Sequence, residues 1–259
     1  MNDITIILGH YKRWYNLREQ FESIKAQTIQ PKEIWIVQNS DYFEIPQDIK
    51  DQCIVIQSNN NLWVWFRFTV GLLAKTKYIC MFDDDTIPGN KWLENCLNES
   101  QKQRWLYGTI WCVFGMVCPD FLWHLTQEQS KKYYYSHIRH WRANSNEQTV
   151  EVDLVWHSWF FEREFLSIYF KDPIDPDYPY CWEDMHFTYA LQKYLWLWTY
   201  VPPHPKDDLE MRGSRKGWEL GTKDSSWAQR SRADWNDIYD QFYKWLRNKG
   251  FKILQDKEW

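Results

Sequence analysis

An α/β fold built on a mostly parallel central sheet follows from three features of this 259-residue chain. Short β-branched runs alternate with stretches of helical periodicity, the runs close on polar, turn-like residues, and one run ends directly in Asp83-Asp84-Asp85. Neighbouring parallel strands need a crossover, usually a helix, so this alternation reads as a layered sheet flanked by helices. In such sheets ligands gather outside the carboxyl ends of the strands.

The first run, Ile4-Thr5-Ile6-Ile7-Leu8, alternates little and suits a strand buried on both faces. It turns at Gly9-His10-Tyr11-Lys12-Arg13, after which Leu17, Phe21 and Ile24 set a helix over Leu17 to Gln27 that Pro31 ends. Glu33 to Val37 and Cys53 to Ile56 are the next two strands, the former closing at Gln38-Asn39-Ser40-Asp41. A helix over Phe66 to Ala74 leads into a fourth strand, Tyr78 to Phe82, and so into the aspartates. Beyond Thr86 the pattern predicts a helix over Lys91 to Gln103 and strands at Gly108 to Cys118 and Val150 to Val155, the latter ahead of an aromatic run, Trp156 to Phe161. A helix from Glu183, a strand at Trp198 to Val201 and a closing amphipathic helix within Trp235 to Leu254 complete the pattern. Lys206 to Ser226 is charged and carries Gly213, Gly217 and Gly221, which reads as a long mobile loop of the kind that often covers an active site.

Composition narrows the function. The length suffices for one sizeable domain with an extensive core, and six scattered cysteines without a Cys-x-x-Cys pair give neither a disulfide framework nor a zinc site. No apolar run reaches the roughly 20 residues a bilayer needs, and the N-terminus lacks a basic leader, so a cytoplasmic protein with no transmembrane segment is expected. A formal charge of −4 supplies no basic field, which argues against nucleic acid as a partner. The 19 tryptophans suit stacking on sugar rings, although core packing is the commoner use of any one of them.

Three adjacent carboxylates repel one another, and a divalent cation between them is the usual remedy. Oxygen ligands suit Mg²⁺ or Mn²⁺, and such an ion offsets charge on a departing diphosphate. A solvated acidic turn capping the helix after Pro88 uses the same residues, but the position at a strand's carboxyl end favours the metal.

Four stretches, in this order, resemble the GT-A fold nucleotide-sugar glycosyltransferases, particularly the inverting family 2-like enzymes related to cellulose and polysaccharide synthases. They are Ile6 to Arg13; Ala26-Gln27-Thr28 ahead of Val37-Gln38-Asn39-Ser40; Asn59-Asn60-Asn61 with Arg67; and Phe82-Asp83-Asp84-Asp85. The resemblance implies a single GT-A, Rossmann-like domain over 1–259. Residues 1–95 would bind the nucleotide sugar and 96–205 the acceptor, with 206–259 supplying the flexible loop and C-terminal helix. It further implies a UDP- or GDP-linked sugar donor, a glycan or other hydroxyl acceptor, and Mn²⁺ or Mg²⁺ at a DXD motif. Gly9, Tyr11, Arg13, Asn39, Asn60, Asp83 and Asp84 would contact the donor. Asn39 stands where the family usually places an Asp that reads the base, and an amide both donates and accepts. Arg67 would approach the diphosphate or an acidic neighbour with its fork of donors. Asp85 and Asp83 would hold the metal, with His204 as a third ligand, while Arg212 and Ser214 would close over the diphosphate.

Trp182-Glu183-Asp184-Met185-His186 resembles the family's Glu-Asp motif, which opens a helix beneath the acceptor. An inverting transfer needs a general base to take the acceptor hydroxyl's proton. Asp184 is the candidate, with Glu183 and His186 orienting it or binding acceptor hydroxyls. Val152 to Phe161 resembles an acceptor-side wall that offers Asp153 and His157 to hydroxyls and Trp156 or Trp159 for stacking. An acidic helix start also serves the macrodipole alone, and a core histidine at 157 fits the sequence equally. Three alternatives stay open. A retaining exostosin-like transferase also matches Asp83-Asp84-Asp85-Thr86. A nucleotidyltransferase would normally carry a Gly-rich phosphate loop where only Gly9 stands. Against a non-catalytic sugar-binding protein, Asp83, Asp85 and Asp184 argue together.

Overall fold

The structure is a computed structural model that describes residues 3–11, 13–40, 43–114, 137–140, 145–173, 183–215 and 241–257. Four strands, β1 (Ile4–His10), β2 (Glu33–Gln38), β3 (Ile54–Gln57) and β4 (Tyr78–Asp83), pair in parallel in the order β3-β2-β1-β4. The crossovers between them carry α1 (Leu17–Lys25), α2 (Gln47–Lys50) and α3 (Trp65–Gly71). This is the layered architecture that the alternating runs predict.

Beyond β4 the sheet changes character. α4 (Trp92–Lys102) leads to β5 (Leu106–Phe114), β6 (His137–His140), β7 (Val150–Val152), β8 (Leu154–Glu162) and β9 (Thr199–Val201). β8 inserts antiparallel between β4 and β5, β5 pairs in parallel with β9, and β7 and β6 pair antiparallel with β9 and β5. All nine described strands form one sheet. The parallel ladders thus concentrate in the first half, where helical crossovers are available.

Strand alternation sends side chains to two cores. On one face Ile7, Ile79 and Met81 meet Phe68 of α3, α5 (Phe165–Tyr169) and Phe187 of α6 (Glu183–Leu195). On the other, Ile6, Leu8, Cys80 and Phe82 meet Phe21 and Ile24 of α1 and Trp92 and Cys96 of α4. The closing helix α7, residues 241–248, buries Phe242 and Leu246 against Met185 and Tyr189 of α6. Among the described residues no helix is long and apolar enough to cross a membrane.

Two expectations need correction. The strand expected at Val150 to Val155 breaks at Asp153, and the aromatic run 156–161 continues as β8, because it lies between β4 and β5 with a partner on each edge. The expected mobile loop is docked over residues 206–215. Gly89 N donates to Arg212 O at 2.8 Å, Lys91 N to Glu210 O at 2.8 Å and Arg215 N to Ile87 O at 2.7 Å. Gly89 permits this approach, since a Cβ there would collide with the Glu210 backbone. Residues 216–226 of that loop, 115–118 of the expected strand, 235–240 of the expected helix and Trp182 lie outside the described residues.

Candidate active site

Register gathers the site. Gly9 pairs with both Val37 and Asp83, so the turns after β1 and β2 and the aspartates open together at the carboxyl ends of the parallel strands. The aspartate turn is then pinned from α1 and the segment before it. Gln20 donates its amide to the carbonyls of Asp83 at 2.8 Å and Thr86 at 2.7 Å, and Asn16 donates to the Asp84 carbonyl at 2.9 Å. Tyr11 N donates to the Asp84 carboxylate at 3.1 Å, while Arg13 pairs with Asp84 and, at 2.8 Å, with Asp85. Such charge-assisted bonds hold a carboxylate in place as well as offsetting its charge.

Asp85 is 4% exposed, and burial raises its pKa above the ordinary carboxylate range. Its Oδ1 has no hydrogen bond among the described residues, and His157 Nδ1 lies 3.5 Å from it. His157 adopts a left-handed backbone, φ 68°, and its carbonyl accepts from Thr86 Oγ1 at 2.9 Å. Non-glycine residues avoid that region at a cost, so surrounding contacts must hold His157 there. One ligand atom each from Asp83, Asp85 and His157 lie within 4.8 Å of one another. Two hard oxygens and an imidazole suit Mn²⁺, and a buried carboxylate oxygen without a hydrogen bond is what a cation would satisfy.

Across from this group, α6 presents Glu183 and Asp184. Glu183 accepts from Arg67 at 2.9 Å, and the same guanidinium pairs with Asp83. Asp184 is 8% exposed and accepts from Met185 N at 2.7 Å, and among the described residues no cation pairs with it. Burial raises the pKa of both carboxyls, that of Asp184 to about 6.

Gly9, Tyr11, Arg13, Arg67, Asp83, Asp84, Asp85, His157, Glu183 and Asp184 therefore converge, and other expected residues do not. His204 is not in the metal group. It bridges through its backbone to Asn146 and sets its ring 5.8 Å from Trp92, and burial beside Arg212 lowers its pKa to about 3. Asp153 is fully buried and accepts from Phe114 N at 2.7 Å and Leu254 N at 2.6 Å, so it ties β5 to the C-terminal segment instead of meeting an acceptor. His186 is 2% exposed, lies 2.9 Å from the Tyr169 carbonyl and packs edge-on against Trp65. Trp159 is also buried, beneath Arg67. Asn39 uses its amide within the next loop, donating to Asn61 Oδ1 and the Trp63 carbonyl and accepting from Leu62 N, while Asn60 is exposed beside it. Arg212 is buried with a long 3.5 Å contact to the Pro205 carbonyl, and Ser214 is half-buried on the docked segment.

Sequence reasoning missed Asn16 and Gln20, and it assigned His157 to the acceptor instead of the acidic group. A signal for the first two was present. Gln20 lies one residue before Phe21 on the inward face of α1, and a polar side chain there must find partners.

The family model for Glycosyl transferase family 2 matches residues 5–170, which contain all of β1 but Ile4, the three aspartates and His157. Among solved structures, the fold is similar to the crystal structure of TarS from S. aureus, with a TM-score of 0.53 and 13% identity. That likeness covers 78% of this chain and 37% of TarS, so the chain spans little more than a third of the TarS chain. No curated protein matches the sequence. A match over more than half of the chain, on a sheet that gathers the acidic strand end and the acidic helix start, makes this protein a member of glycosyl transferase family 2 with a GT-A fold.

Proposed function

We propose that the protein moves a sugar from a nucleoside-diphosphate donor to a hydroxyl acceptor, with inversion, in a reaction that depends on a divalent cation. The observation that carries this reading is the buried Asp184, one residue from the Glu183 that Arg67 ties to Asp83. A base beside the donor's anchor is what an in-line displacement requires, because the acceptor oxygen attacks opposite the departing diphosphate. Raised proton affinity suits Asp184 to take a hydroxyl proton near neutral pH.

Asp83, Asp85 and His157 are the residues that would hold Mn²⁺ or Mg²⁺. The ion would offset the negative charge on the leaving diphosphate. Tyr11 and the Asn39 turn border the strand edge where a nucleoside would lie, and Arg13 is the cation available to phosphate once it leaves Asp85. A glycan is the acceptor class proposed. UDP and GDP are the donor nucleotides proposed. The family match favours this chemistry over a nucleotidyltransferase or a non-catalytic sugar binder.

The deciding experiment pairs calorimetry of UDP and GDP, each with Mn²⁺, with turnover of the matching nucleotide sugars by wild type and Asp184→Asn. Retained nucleotide binding with lost transfer supports the reading, and unchanged transfer by Asp184→Asn overturns the base assignment.

A further inference from the structure

We propose that Arg67 is a positioning residue that locks the acceptor-side helix to the strand-end acids, and is not a ligand of the donor's diphosphate. One terminal nitrogen of its guanidinium pairs with Asp83 at the end of β4, and the other donates to Glu183, the first residue of α6, at 2.9 Å. A side chain from α3 therefore joins the two acidic elements of the site. A diphosphate could take this fork only by displacing one of the two carboxylates.

The seat is built for the side chain. Arg67 is 8% exposed, its guanidinium carbon lies 4.6 Å from the Trp159 ring centroid and 5.3 Å from that of Phe68. Gly9 leaves room for the stem, since a Cβ there would sit 3.2 Å from Arg67 Cδ. A planar, always-charged group seated against two rings in this way resists the swing toward solvent that phosphate capture needs. Without Arg67, two part-buried carboxylates lose the cation between them, and the start of α6 loses its tie to β4. Asp184 is the next residue of that helix, so its aim depends on the tie.

The functional consequence rests on the proposed transferase reading, whereas the tie itself does not. The test uses the full chain as Arg67→Met, Arg67→Lys, Glu183→Gln and the double variant Arg67→Met/Glu183→Gln. Three measurements are made: binding of UDP and of GDP with Mn²⁺ by calorimetry, nucleoside-diphosphate release from the nucleotide sugar that wild type turns over, and urea unfolding. The expected result for Arg67→Met is a nucleotide dissociation constant within about threefold of wild type and a kcat lower by about 100-fold, the cost of a misaimed catalytic group. Arg67→Lys should recover about tenfold of that loss, and Glu183→Gln should add less than about threefold in the Arg67→Met background. The proposal is overturned if Arg67→Met weakens nucleotide binding tenfold or more while kcat at saturating donor is unchanged, or if the two substitutions multiply. If wild type binds neither nucleotide, the transferase reading fails and the unfolding cycle decides the tie: non-additive midpoints support it and additive ones overturn it. Should Arg67→Met not fold, Arg67→Lys completes the same cycle with Glu183→Gln.

Discussion

At the end of β4, Asp84 and Asp85 lie under Arg13 and Asp83 lies under Arg67, whereas at the start of α6 Asp184 has burial and backbone N–H donors, that of Met185 among them. The two acidic groups share one site and share Arg67, but Asp184 differs from the strand-end acids in its partners. Arg13 and Arg67 offset the first group, although burial still raises the pKa of Asp85. Desolvation dominates the second, and a desolvated carboxyl gains proton affinity. The cation-holding and proton-taking roles proposed for these acids would thus rest on environment, since the side chains are chemically alike.

The largest effect should come from removing the proposed base. Asp184→Asn is expected to lower kcat by about 1,000-fold, within the usual range for a general base, while Mn²⁺-dependent binding of UDP or GDP persists. At the proposed metal group, Asp85→Asn should weaken Mn²⁺ binding by about 100-fold or more in calorimetry, since loss of a ligand should cost at least as much as loss of a partner outside the ligand set. His157→Ala should cost about tenfold in the same titration, less than Asp85 because it removes a neutral ligand. The pH profile sharpens the contrast. As the proposed base Asp184 would have to be deprotonated, and burial lifts its pKa to about 6, so turnover should fall as pH drops through about 6 and not near the ordinary value of 3.8. A limb near 4 would show that burial does not set its proton affinity.

The smallest effect concerns a carboxylate outside the site. Asp153 has its pKa raised by burial to about 7 in the fold, above its ordinary value of 3.8. Its contribution is complete below about pH 4 and is lost as pH rises toward 7, because the folded state then holds a buried charge. Thermal melts should show the difference between Asp153→Asn and wild type moving in favour of the variant across that range. A constant difference would show that the two backbone donors from Phe114 and Leu254 already offset the charge.

Most of the fold's first half could be read from residues alone. β1, β2, β4 and α1 fall within a few residues of the runs that predict them, because a strand buried on both faces is continuous in sequence and a helix against a sheet repeats its apolar face. The second half was less legible. The aromatic run 156–161 shows no alternation that names its partners, and its place between β4 and β5 is a tertiary fact. The docking of residues 206–215 was likewise hidden, since charge and glycine content describe a loop equally well whether it is free or seated on Gly89.

The sequence by itself determined the acidic strand end, the acidic helix start and the α/β order that brings the first to the carboxyl ends of the parallel strands, because these depend on local periodicity and on chain order. Only the tertiary structure decided which basic and imidazole groups complete the site. It placed Arg67 between Asp83 and Glu183, set His157 beside Asp85, and left His204 against Trp92. The reason is range: charges and metal ligands act across a few ångströms of space, and residues that far apart in sequence acquire those distances only when β8 pairs with β4 and α6 closes on the sheet.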